Sequence, residues 1–290
     1  MIRLSTARKL TIARALRPLA GAVAAVRGVN PREIVCTRRG VRWCLDLDEG
    51  VQLAIYLGVF ERSTSAALAR LATPEAVVLD IGANVGAHAL PLAMRLGHRG
   101  RVIAIEPADS AVERFLRNLN LNPDVAPRVT LVHRALGAPG EVPAEAYYAS
   151  WPLKRAPASH PVHQGMPERS TAGRTTLDRL VEEMGIPRVD LIKLDVDGHE
   201  LPILHGATST LTRDHPTVVF ELCPYLLEER GVTPTTLTRL FTNMGYTLYD
   251  ERTFERVRLA TNTWPGQFPR AGGGNLIAAV GPPRQQKKWS

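Results

Sequence analysis

The chain has 290 residues, 44% hydrophobic and 22% charged, an ordinary composition for a folded soluble protein and long enough for one large core or two modest ones. That composition excludes collagen, disorder and a disulfide scaffold, and no uncharged apolar run approaches the length that spans a bilayer. The net charge of +8 sits at the two ends: residues 1–30 and 256–290 each hold six basic residues and no acid, while 31–255 carry 24 basic against 28 acidic residues. A nucleic-acid groove wants its positive charge on the folded body, so this distribution disfavours a DNA or RNA enzyme.

The first thirty residues are basic and alanine-rich. Ile12, Leu16, Leu19, Val23 and Val26 recur at steps of four and three, a helical stripe that Pro18 would kink. The simplest reading is a surface helix packed on the body or on another subunit. A membrane-surface contact or a short signal segment around Ala22-Val23-Ala24 are the alternatives. Next, IVCTRRGVRWCLDL reads as a hairpin; a two-residue turn at Arg39-Gly40 pairs Cys36 with Trp43 and turns Cys44 to the other face. With Cys223 the cysteines number three, widely spaced, which gives no metal knuckle and fits reduced thiols in the cytoplasm.

A helical stretch through Leu71 leads to AVVLDIG (76–82), an apolar run of buried-strand type, and a helix from Gly86 to Leu96. RVIAIE (101–106) is a second strand, and 109–122 a helix with Val112, Phe115, Leu116 and Leu119 on one face. RVTLVHRAL (128–136) is a third strand. Residues 137–172 carry six prolines, Tyr147, Tyr148, Trp151, His160 and His163, and read as a long irregular loop of the kind that closes over substrate. No spacing partner makes His160 or His163 a metal ligand, so they read as solvated or substrate-facing. Strands at 189–198, 217–223, 245–250 and 275–280 alternate with helices at 176–185, through LPILHGATSTL, and near 234–244. Such alternation predicts an α/β fold, a doubly wound, mostly parallel sheet with helices on both faces.

Asp80-Ile81-Gly82-Ala83-Asn84-Val85-Gly86 runs straight off a strand into a helix, and its glycines allow a tight turn and close approach by a ligand. Twenty residues beyond Gly86, at the end of the second strand, Glu106 is placed to accept from both hydroxyls of a ribose. The dinucleotide fingerprint would have glycine where Asn84 stands, and that side chain would crowd a pyrophosphate. Asp80 is a poor neighbour for phosphate and a good one for an ammonium group. A ligand with a ribose, no phosphate and an amino-acid tail fits, and S-adenosylmethionine is such a ligand.

The chain from VVLDIGANVGAHALPLA through GRVIAIEP, VTLVHRALG, TTLDRL, VDLIKLDVDGHELPILHGA and PTVVFEL resembles the FkbM family of S-adenosylmethionine-dependent methyltransferases over roughly residues 55–280. DIGANVG and KLDVDGHE are the most specific pieces; Asp197 stands where the family more often has glutamate, which keeps the charge. The resemblance implies a class I, Rossmann-like fold with seven strands, the last antiparallel, and O-methylation of a hydroxyl on a small molecule, sugar or glycan. It implies a cofactor site at Asp80, Gly82, Asn84, Gly86, Glu106, Ala135 and Leu136. Residues 1–50 then form a basic arm and hairpin extension, 51–282 the methyltransferase domain and 283–290 a basic tail.

Ligands of open α/β sheets sit outside the carboxyl ends of the strands. Asp195, His199 and Glu221 fall at such ends and are the candidate catalytic residues, with Asp197 and Glu200 in the same turn. Blander roles also fit: a turn former for Asp195, a helix-start carboxylate for Glu200, a solvated turn residue for His199. Lys193, two residues before Asp195 on one strand face, needs a partner if buried and so pairs with a carboxylate. No metal is expected, because Asp195-Val196-Asp197 does not aim its two carboxylates at one point. A nicotinamide-dependent oxidoreductase, a nucleic-acid or protein methyltransferase, and a binding module without catalysis are the rival readings.

Overall fold

The computed structural model describes residues 6–26, 28–141, 146–154, 156–257, 273–283 and 285. Arg3, Arg27, Pro143, Arg258, Arg270, Arg284, Lys287, Lys288 and the side chain of Val23 lie outside the described residues, and with them most of the basic tail.

Seven strands build the main sheet: β1 (Val77–Ile81), β2 (Arg101–Ile105), β3 (Val129–Val132), β4 (Leu191–Leu194), β5 (Thr217–Leu222), β6 (Thr247–Asp250) and β7 (Gly274–Ala279). Their spatial order is β6-β7-β5-β4-β1-β2-β3. All neighbouring pairs are parallel except those of β7, which runs antiparallel to both β5 and β6. This is the class I methyltransferase arrangement. The centre reads as near-continuous apolar runs because helices cover both faces: every residue of VVLDI in β1 and LIKL in β4 is buried. Phe220, Phe241, Leu211 and Leu204 fill one face, while Trp43, Leu68, Leu90 and Phe115 fill the other. Each such side chain contributes about 1.5–3 kcal/mol by leaving water.

The strand order reverses between β1 and β4, so a crevice opens at their carboxyl ends. The register there is decisive. Lys193 of β4 lies directly across from Asp80 of β1.

The hairpin forms as its turn chemistry dictates, Ile34–Arg38 against Val41–Leu45 with Cys36 opposite Trp43; Arg39 at φ 51° and Gly40 at φ 80° make the turn. Asn118 on the helix Asp109–Asn120 ties it down, accepting from Cys44 N at 2.8 Å and donating to Val85 O at 3.0 Å. Ala111, Phe115 and Asn118 are the buried residues of that helix; Leu116, expected on its apolar face, is exposed.

Three readings are corrected. The third strand splits: β3 stops at Val132, and Arg134–Leu136 pairs with Gly173–Thr175 in a separate parallel ribbon. The stretch 137–172 is not irregular throughout, since Ala146–Ser150 and Met166–Arg169 form an antiparallel hairpin, and most of the prolines lie in its connection or flanks, where no ladder N–H is needed. Finally, the apolar stripe of the N-terminal helix, Thr6–Val26, does not face the body. Leu10 and Ala20 are buried against Leu47, Leu53 and Leu153, whereas Ile12, Leu16, Leu19 and Val26 are exposed. Arginines decide the rotation: Arg14 Nε donates to Leu153 O at 2.7 Å and Arg17 Nε to Asp48 Oδ1 at 2.7 Å.

Candidate functional site

The loop after β1 is shaped by its glycines. Gly82 has φ 79°, and a Cβ there would stand 1.9 Å from the Asp195 carbonyl oxygen. The chain leaving β4 therefore crosses against the loop where only hydrogen fits. Gly82 N and Ala83 N donate to Ile105 O at 3.0 and 3.1 Å, which fastens the loop to the end of β2. Asn84 has φ 48°; its Oδ1 accepts from Val85 N at 2.8 Å and its Nδ2 donates to Ala149 O at 2.9 Å. The expected crowding side chain thus reaches out to the hairpin of residues 146–150. Gly86, at φ 88°, packs against Leu90 and Phe115.

Glu106 is buried just beyond β2, and its two oxygens accept backbone N–H groups, Oε2 from Asn84 at 2.8 Å and Oε1 from Ala108 at 2.9 Å. Burial pushes its pKa up to about 7 against the pull of those bonds. Each oxygen keeps lone-pair capacity for another donor. Ala135 and Leu136 are buried in the ribbon with residues 173–175, and Leu136 joins the core that holds Ile105.

Lys193 organises the crevice. Its Nζ donates to Gly82 O at 3.0 Å and stands 3.5 Å from Asp80 Oδ1 and 3.4 Å from Asp195 Oδ2. It is the carboxylate partner its sequence position predicts. Burial alone would lower the lysine pKa, and the charges of Asp195 and Asp80 raise it instead. Asp80 is fully buried, and neither of its oxygens accepts a hydrogen bond. Asp195 is different: its side chain is 27% exposed. Burial raises its pKa, with the Lys193 ammonium pulling the other way.

The turn after β4 gathers the other candidates. Asp197 at φ 50° and Gly198 at φ 93° reverse the chain, and Glu200 closes the turn by accepting from Val196 N and Gly198 N, both at 3.3 Å. Burial brings Glu200 to about 7 and pushes Asp197 well above the ordinary carboxylate range. His199, half-buried with its ring 5.6 Å from that of Tyr147, is held down to about 4 by burial and then by the charge of Arg230. At neutral pH its imidazole is uncharged. Glu221 lies on β5 opposite Asn275; burial, then the charges of Asp195 and Asp197, push it far above its ordinary value. Among the described residues no three His, Cys, Asp or Glu side chains converge as a metal-ligand set.

Two members escape sequence reading. His88 is buried after the glycine loop, and its Nε2 sits 2.9 Å from Oε2 of Glu61. Burial would raise Glu61, but the bond and charge of His88 hold it at about 2. No spacing rule joins residues so far apart.

The solvated reading of His160 and His163 is corrected, for His163 is buried and His160 half-buried with its ring turned inward. Their rings stack at 4.0 Å within a cluster containing Tyr148 and Tyr225. His163 Nδ1 accepts from Gly165 N at 3.0 Å, and His160 Nε2 meets Glu229 Oε2 at 3.1 Å. Trp151 anchors the other side through its backbone, N donating to Glu49 Oε1 at 2.8 Å and O accepting from Gly50 N at 2.9 Å. The hairpin is thereby fixed over the crevice, touching the glycine loop through Ala149 and the β4 turn through Tyr147.

Comparison with known proteins agrees with this geometry. The family model described as "Methyltransferase FkbM domain" matches residues 80–248. The hexuronic acid methyltransferase AglP of Haloferax volcanii is 28% identical over 165 residues, 57% of this chain and 60% of that protein. Methyltransferase 1 of Beauveria bassiana is 26% identical over 166 residues, 51% of this chain and 65% of that protein. The chain thus spans less than two thirds of the length of either relative. A solved methyltransferase FkbM from Methylobacillus flagellatus superposes with a TM-score of 0.42 at 18% identity, covering 71% of this chain and 44% of its own. With the matched segment running from Asp80 into β6 and taking in more than half of the chain, this protein belongs to the FkbM methyltransferase domain family.

Proposed function

We propose that this chain transfers a methyl group from S-adenosylmethionine to a hydroxyl of a small metabolite, sugar or glycan. The cofactor supplies an electrophilic sulfonium methyl. The residues fit it. Glu106 is held by two backbone N–H groups with capacity left for ribose hydroxyls, and Asp80, buried against Lys193, adds negative charge beneath the glycine loop. A nicotinamide dinucleotide fits worse, because Asp80 and Glu106 put negative charge at the loop where a pyrophosphate would lie.

The single observation that carries the reading is Asp195. It is the carboxylate of the Lys193 group that is open to the crevice, beside the loop carrying Gly82. It takes the proton of the acceptor hydroxyl, while Lys193 holds its carboxylate in place. His199, uncharged at neutral pH, orients the hydroxyl, and Glu221 completes the polar wall. The hairpin of residues 146–150 excludes water above them. The sugar class of acceptor draws support from the name of the Haloferax relative.

Incubating the protein with labelled cofactor and a panel of uronic acids, neutral sugars and hydroxylated metabolites tests this. The expected product gains one CH2 as a methyl ether. Label recovered only in protein or nucleic acid, or only on nitrogen or carbon, contradicts it.

A further inference from the structure

The helix Thr6–Val26 carries an apolar face that nothing in the described structure covers. At about 100° per residue, Ile12, Leu16, Leu19 and Val26 fall within roughly 80° of one another. They are 48, 37, 67 and 89% exposed. The helix already packs through other positions: Leu10, Arg14 and Arg17 lie on the side opposite the stripe and Ala20 at its border, Leu10 and Ala20 packing on Leu47, Leu53 and Leu153 and both arginines bonding to the body. The stripe is therefore not a misplaced core face, because the helix already has one. Exposed Arg8 and Lys9 flank the stripe at its amino-terminal end.

We propose that this face docks on an anionic lipid surface, with Ile12, Leu16, Leu19 and Val26 entering the headgroup boundary and the basic residues meeting lipid phosphates. Charge selects the occupant. Exposed Arg8 and Lys9 border the stripe and residues 1–30 hold no acid, so two copies meeting through this face would bring like charge together. The chain's own segments 258–272 and 286–290 hold basic residues and no acid, so neither complements it. An apolar stripe bordered by arginine and lysine on a helix lying along a folded body is the pattern of interfacial helices. No helix of the described residues is long and apolar enough to cross a membrane, so the contact is lateral.

The test is co-sedimentation of the full chain with phosphatidylcholine vesicles, with and without phosphatidylglycerol, at low and high salt. The bound fraction is expected to rise about tenfold or more with the anionic lipid and to fall in high salt. The double substitution Leu16→Gln, Leu19→Glu is expected to lower it about tenfold, with S-adenosylhomocysteine binding unchanged as a check that the fold survives. Equal binding to neutral vesicles, or no effect of the double substitution, overturns the proposal. So does a dimer in sedimentation velocity that the double substitution disperses while wild-type protein stays out of the vesicle pellet, which would make the face an interface between copies.

Discussion

Asp195→Asn is expected to lower turnover by about a thousandfold or more while S-adenosylhomocysteine affinity stays within about threefold, the size of effect that loss of a positioned proton acceptor produces. The amide keeps the shape of the side chain and loses its basicity. Lys193 keeps Gly82 O at 3.0 Å and Asp80 at 3.5 Å, so its buried charge remains partnered and the fold is retained. The wild-type pH profile carries the same claim. Asp195 is raised above its ordinary value, and only its ionised form accepts a proton, so kcat/KM rises with pH through that raised value; Glu106 and Glu200, brought to about 7, add to the same limb, and kcat at saturating cofactor isolates the part that Asp195→Asn removes. His199, held at about 4, stays neutral from pH 5 to 8 and adds no limb there. Exhaustive EDTA treatment is expected to leave most activity. Activity lost to EDTA and restored by magnesium would instead make Asp195 and Glu221 metal ligands.

Gly82→Ala is expected to abolish measurable cofactor binding and to lower the melting temperature. Two terms add. The φ of 79° costs a non-glycine residue about 1–2 kcal/mol, and the new Cβ lies 1.9 Å from a backbone oxygen that can yield only by displacing the end of β4. Overpacking of this kind costs roughly 1–3 kcal/mol more. Gly185→Ala is the control, since Gly185 also has positive φ, 58°, but open space for a Cβ. It should show the backbone cost alone, with cofactor binding intact. Equal melting shifts in the two variants, or full cofactor affinity in Gly82→Ala, would mean that the loop yields and does not shape the site.

Much of this site is legible in the sequence because its parts are local. A glycine loop closing an apolar strand, an acid at the end of the next strand and a lysine two residues before an aspartate each declare themselves within a few positions. The turn at Arg39-Gly40 likewise specifies the register that places Cys36 opposite Trp43. What stayed hidden is set by contacts between distant residues. Glu61 meets His88 because the helix Arg62–Leu71, which follows Glu61, packs against the helix Ala89–Arg95, which follows His88. The hairpin of residues 146–150 and 166–169 is obscured by prolines, and its histidines look like surface residues until Tyr148 and Tyr225 close around them. The N-terminal helix shows the limit of periodicity most plainly. Spacing identifies an apolar stripe, but the hydrogen bonds of Arg14 and Arg17 to the body choose which face turns inward.

The most direct test of the account is calorimetric titration of the purified protein with S-adenosylhomocysteine and, separately, NADH, repeated on Glu106→Gln. Glu106 is the right residue to change because its carboxylate is fixed by Asn84 N and Ala108 N at the end of β2, where a ribose would be held. The expected result is binding of S-adenosylhomocysteine, no heat from NADH, and, at a pH above the raised Glu106 value of about 7, a loss of about 1.5–3 kcal/mol in the variant, the contribution of hydrogen bonds to a charged acceptor. Tight binding of NADH with no response to S-adenosylhomocysteine would contradict the account.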